Sequence, residues 1–131
     1  MDETTMSLAR RAVACAAWRW MPGMRHTTTI KGEEWFCCRV AEKDAPREPR
    51  HPDALPDLDD PATLGCLLAL VREAWGDQQI HASCGAGGKP IAHWVVVWRY
   101  FELYPTNWQP IGSGTTEAEA LVAALEAAVS R

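Results

Sequence analysis

Few residues in this chain stand at spacings that could do chemistry. Gly85–Lys89 (GAGGK) looks like a phosphate loop. A Walker loop needs GxxxxGK[ST], but here Ser83 holds the first glycine position and Pro90 replaces the hydroxyl residue. A strand is expected after it, so no helix N-terminus would face a phosphate. The segment reads as a hairpin loop. His26, His51, His81 and His93 form no HxxxH or HxH pair. A zinc site, for example His26 with Cys37, would have to assemble in three dimensions. Cys84 and His81 would suit a thiolate–imidazole pair. However, residues three apart on a strand point to opposite faces. These spacings predict no catalytic residues, no cofactor and no metal.

Binding chemistry has better candidates. Arg10, Arg11, Arg19 and Arg25 lie near Trp18 and Trp20, the one basic-aromatic cluster, suited to a nucleotide or an acidic protein surface. Asp53, Asp57, Asp59 and Asp60 put four carboxylates in eight residues. Asp60 suits a helix N-cap, and the others read as solvated charges near its positive end. Tryptophan is the compositional outlier, with seven against two Tyr and two Phe. Trp buries a large area and is also enriched at interface hot spots. Trp75, Trp94 and Trp98 are expected to be buried. Trp20 has no period-matched apolar neighbours and is expected to be an exposed anchor. The candidate partner-binding residues are therefore Arg10, Arg11, Arg19 and Trp20, with Asp53 and Asp57 of a proline-rich loop.

Bulk properties bound the function classes. A length of 131 residues, 47% hydrophobic and 23% charged, predicts one globular domain over 1–131. Residues 1–50 carry a net +2 and residues 51–131 a net −6, which argues against general nucleic-acid binding. Five cysteines at irregular spacing with no CxxC pair suit small buried hydrophobes in a reducing cytoplasm. No apolar run is long enough to span a bilayer, and the N-terminus lacks a signal-peptide core.

These residues must be positioned by a small set of elements. The clearest is a helix within Leu55–Asp77, capped by Asp60, opened by Pro61 and closed by Gly76. Its apolar positions, Leu64, Leu67, Leu68, Val71 and Trp75, follow helical spacing, with Leu68 expected in the core. A first helix is predicted from about Thr5 to Trp18. Strands follow at roughly Arg25–Ile30 and Glu34–Val40. A proline-rich surface loop then covers about 43–60. Beyond the central helix come strands at Ile80–Cys84, Ile91–Tyr104 and Trp108–Ser113. Trp94, Val96, Trp98 and Tyr100 share one face of the second of these. Thr116–Glu119 forms a capping box for a last helix with a stripe of Ala118, Leu121, Val122, Leu125 and Val129. The order α-β-β-α-β-β-β-α predicts an α+β fold, a mainly antiparallel sheet with three helices.

From Pro61 to Val129 the order α-β-β-β-α is similar to that of a double-stranded-RNA-binding domain. That family meets phosphates through lysines opening its last helix. Here Thr116, Glu117, Ala118 and Glu119 would repel them. Three segments, Arg11–Met24, Leu55–Asp77 and Thr116–Val129, resemble small accessory proteins of phages and prophages of high-GC bacteria. The resemblance implies a scaffold without an active site, and a non-enzymatic protein that binds and inhibits a host protein or ribonucleoprotein, including antiviral defence machinery such as CRISPR effectors. A monomer or homodimer in the host cytoplasm, with no membrane partner, is expected. The alternative is a small-ligand or nucleotide-binding protein, such as a sponge for a signalling nucleotide, with a pocket between sheet and helices lined by Trp94, Trp98 and Trp108 and an Arg for phosphate.

Overall fold

The computed structural model describes residues 2–30, 33–41, 53–84, 94–100 and 107–130. The fold is α+β, with three helices and two antiparallel sheets among the described residues. The chain forms two compact units, Met1–Cys66 and Leu67–Arg131. The elements run α1 (Glu3–Ala14), β1 (Arg25–Ile30), β2 (Glu33–Arg39), β3 (Leu55–Pro56), α2 (Pro61–Trp75), β4 (His81–Cys84), β5 (Val95–Tyr100), β6 (Trp108–Gly114) and α3 (Glu117–Ser130). This is the expected order with one addition, the two-residue β3 at the end of the proline-rich segment.

In the first unit the sheet order is β2-β1-β3, and α1 packs on β3. Asp2 caps α1 by accepting a hydrogen bond from the Thr5 amide at 2.8 Å. The helix stops at Ala14, four residues before the expected end, because Cys15 is extended (φ −69°, ψ 134°). Leu8, Ala9 and Ala12 form its buried stripe; Ala16 lies past the helix and is exposed.

Asp60 ties this unit together. Its carboxylate accepts from the Thr63 amide (3.0 Å) and hydroxyl (2.9 Å), which caps α2. The same carboxylate receives the Arg39 guanidinium through two bonds of 2.6 and 2.7 Å. The Thr63 hydroxyl in turn accepts from the Arg25 amide at 2.8 Å. One side chain thus joins the end of β2, the start of β1 and the first turn of α2. The Arg39 guanidinium beside it, helped by Thr63, holds the Asp60 carboxyl far below the usual carboxylate range. Bidentate charge-assisted pairs of this kind are stronger than ordinary ones.

In the second unit the sheet order is β4-β5-β6. The C-terminal part of α2 ends at Gly76, whose φ of +67° is the left-handed conformation expected there. Leu67, Leu70 and Val71 are buried. Leu68 is only half-buried, so the core stripe is rotated from its expected position. Thr116 caps α3 by accepting from the Glu119 amide. The Glu119 carboxylate bonds the amide and hydroxyl of Thr115, one residue earlier than a standard capping box. The buried stripe of α3 holds Ala118, Leu121, Val122 and Leu125 as expected, and gains Ala120 and Ala124. Val129 is exposed, in the last turn of α3.

α3 lies directly on β6. A Cβ at Gly112 would stand 2.5 Å from the Ala120 carbonyl and 2.6 Å from the Ala124 amide nitrogen. A Cβ at Gly114 would stand 2.5 Å from the Glu119 Cβ. Backbone meets backbone here only because the facing residues are Gly and Ala. By register Gly112 pairs with Val97 and Gly114 with Val95, so Val95, Val97 and Arg99 share the helix-covered face.

Two substitutions test these anchors. Gly112→Ala should cost at least about 1–3 kcal/mol, the scale of overpacking, in chemical denaturation. A neutral result would mean that α3 sits farther from β6. Asp60→Ala should cost at least roughly 0.5–2 kcal/mol, the scale of a lost N-cap. Because folding lowers this carboxyl's pKa, its contribution is full above the reference value of 3.8 and fades as pH falls below it. The gap between wild type and variant should narrow over that range.

Candidate functional site

The structure separates the predicted contact residues. Arg10 and Asp53 line one open groove of about 620 Å³, with Met6, Val13, Ala14, Ala54 and Leu55. Arg10 also lies 3.7 Å from Glu3, an exposed pair of little energetic value. Arg11 and Arg19 are exposed and do not line this groove.

Trp20 is not an exposed anchor. It is 4% exposed and packs edge-to-face on Trp18 (5.4 Å between centroids) and on His26 (6.1 Å). Met24 and Gly23 explain this placement. The Gly23 amide donates to the Val40 carbonyl and the Val40 amide to the Met24 carbonyl, both at 2.8 Å. These bonds fold the segment after α1 back onto the first sheet and bring Trp20 beside β1. Asp57 is not a solvated loop charge either. It is buried, lies 3.7 Å from the Arg25 Nε, and accepts from the Asp59 amide. Its own amide donates to the Arg25 carbonyl, so it belongs to the frame of the first unit.

The zinc and phosphate-loop candidates, which the spacing argues against, are only partly within view. Among the described residues no group of three His, Cys, Asp or Glu could hold a metal ion. Gly85–Lys89 and the Cys37 side chain lie outside the described residues. His81 and Cys84 fall on opposite faces of β4, as their spacing implies. His26 has a buried Nδ1 without a hydrogen-bond partner among the described residues, and burial lowers its pKa.

The better surface lies in the second unit, on the sheet face opposite α3. Register places His81 beside Trp98 and Tyr100 beside Trp108 on that face, with Val96, Ser83 and Ser113. One extra residue, Ile111, bulges between Pro110 and Gly112, and this shift in alternation puts Trp108 and Pro110 on the face opposite Gly112 and Gly114. Trp108 forms the centre of the cluster. Its ring meets His81 at 4.9 Å and 86°, and Tyr100 at 5.1 Å and 66°. Trp98 donates its indole N–H to the Ser83 hydroxyl at 2.9 Å. Val96 is buried on this face, while Trp94 and Trp108 are each 41% exposed.

Three expectations change here. Trp75 and Trp98 are half-buried rather than buried. Trp94 is exposed rather than buried, because it precedes β5 at the sheet's end. Trp98 and Trp108 do not line a pocket between sheet and helices, because α3 covers the opposite face. The end of α2 is on α3's side too: Trp75 donates its indole N–H to the Ala124 carbonyl at 2.9 Å, and Arg99 lies over the Trp75 ring. The β5 alternation was visible in the sequence. His81 carried no signal of its own, since only the β4–β5 register brings it to the cluster.

Comparison of the chain with models of protein families, with curated proteins and with solved structures returns no match. Among the described residues no helix is long and apolar enough to cross a membrane.

Trp20→Ala should therefore behave as a core truncation, with a loss of roughly 3–5 kcal/mol in denaturant unfolding. An unchanged unfolding midpoint would return Trp20 to the surface.

Proposed function

We propose that the chain is a non-enzymatic binding protein whose contact surface is the aromatic face of β4–β6. The observation that carries this reading is the exposure of Trp108 at the centre of a three-ring cluster, with Trp94 exposed on the same unit. Large aromatic side chains left in water cost solvation free energy in the free protein. They contribute strongly when a partner covers them. The resemblance of Arg11–Met24, Leu55–Asp77 and Thr116–Val129 to phage accessory proteins gives the target class. The partner is a host protein or ribonucleoprotein of antiviral defence, and binding inhibits it. Arg10 and Asp53, across their shared groove, are a secondary contact candidate. Arg11 and Arg19 stand on the surface of the same unit.

Affinity capture from host lysate tests this reading. Wild type should retain a stoichiometric partner. Trp94→Ala/Trp108→Ala should weaken capture by about thirtyfold, the affinity equivalent of a roughly 2 kcal/mol hot spot, without loss of secondary structure. Equal capture by both proteins would move the contact surface elsewhere. Turnover of a small substrate with no partner retained would overturn the reading.

A further inference from the structure

We propose that the aromatic face of β4–β6 receives an arginine-bearing segment of its protein partner, held by cation–π contact centred on Trp108. This rests on the binding reading above and names the chemistry of the occupant.

Charge on this face favours a cation over a phosphate. No charged residue stands at the β4, β5 or β6 positions of this face: they are His81, Ser83, Val96, Trp98, Tyr100, Trp108, Pro110 and Ser113. The described cations of the second unit are committed to the other side. The Arg72 Nε donates to the Ile80 carbonyl at 2.8 Å. The Arg99 Nε lies 3.7 Å from Asp77, and its guanidinium carbon is 5.1 Å from the centre of the Trp75 ring. A nucleic acid would bring phosphates to a face that shows no cation among the described residues, on a unit, residues 67–131, with four Lys/Arg against six Asp/Glu, a net −2. Phosphate neutralisation dominates such binding, so this surface is poorly suited to it. A cationic segment is drawn by the same net charge.

Ring geometry favours a guanidinium. Aromatic rings attract cations over their faces, Trp most strongly. The rings of His81 and Tyr100 stand at 86° and 66° to Trp108, so the cluster presents π surfaces in several directions. A planar guanidinium can stack on such a surface while keeping its in-plane donors free for Ser113 or Ser83. An ammonium lacks that planar fit. The Arg99–Trp75 contact on the other side of the sheet already uses this chemistry within the chain.

The test uses the full chain and four probes: the peptides (Arg-Gly)4, (Lys-Gly)4 and (Glu-Gly)4, and a ten-nucleotide oligouridine. Binding is followed by tryptophan fluorescence, and self-association by sedimentation. The arginine peptide should bind saturably and more tightly than the lysine peptide, while the other two should not bind. Trp108→Ala should weaken the arginine peptide by at least about tenfold, and Trp108→Phe by roughly threefold or less. Glu117→Gln, at the start of α3, should change affinity less than about twofold, since it sits away from the ring cluster. Three results would overturn the proposal. One is arginine-peptide affinity indifferent to Trp108→Ala. Another is oligouridine binding as tight as the peptide's. The third is a homodimer that buries Trp108. If the arginine peptide fails while lysate capture still depends on Trp94 and Trp108, the occupant is wrong and the binding face stands. If capture is also indifferent to them, both fall.

Discussion

The candidate surface depends on one close approach, that of α3 to β6 at Gly112. Helix and strand can come this near only where neither carries a bulky side chain. Gly112 faces Ala120 and Ala124, and Gly114 faces the Glu119 stem. This contact commits the face bearing Val95, Val97 and Arg99 to the helices. The end of α2 joins that side through the Trp75 bond to the Ala124 carbonyl and the stacking of Arg99 on Trp75. Strand alternation then leaves no choice for the other side chains of β5. Trp98 and Tyr100 must point away from α3, and the β6 register sets Trp108 beside Tyr100. The aromatic face is thus a consequence of where the small residues lie.

The first unit is organised by polar chemistry at Asp60. One carboxylate caps α2, receives Arg39 and bonds Thr63, whose hydroxyl then holds the Arg25 amide. A half-met network of this kind would be costly, because Asp60 and Thr63 are both buried. Here each group has its partner. Asp57 reinforces the frame through Arg25, which is why it is withdrawn from the solvent where a loop carboxylate would otherwise sit.

What was legible in the sequence was what neighbouring residues decide. Asp60-Pro61, Gly76 and Thr116–Glu119 mark helix ends through short-range bonds, and the structure places α2 and α3 between them. The α-β-β-α-β-β-β-α order follows from such punctuation and from periodicity. Trp20 and Asp57 were not legible, because their partners come from β1, far along the chain or across a loop. The rotation that buries Leu70 and leaves Leu68 half-exposed is likewise set by what packs on α2. β5 shows the limit most clearly. Its alternation sorted Trp94, Val96, Trp98 and Tyr100 onto one face, but both faces are apolar, so the strand alone could not say which one the helices cover. The deciding signal lay elsewhere, in Gly112 and Gly114 two residues apart on β6 and Ala120 and Ala124 four apart on α3.

The most direct test of the binding face is an NMR titration that watches the seven tryptophan indole N–H signals as the arginine peptide is added. The account predicts that the Trp108 and Trp94 signals shift together and saturably, while those of Trp18, Trp20 and Trp75 stay in place. Shifts confined to Trp18 and Trp20, with Trp108 unmoved, would put recognition on the first unit and contradict it.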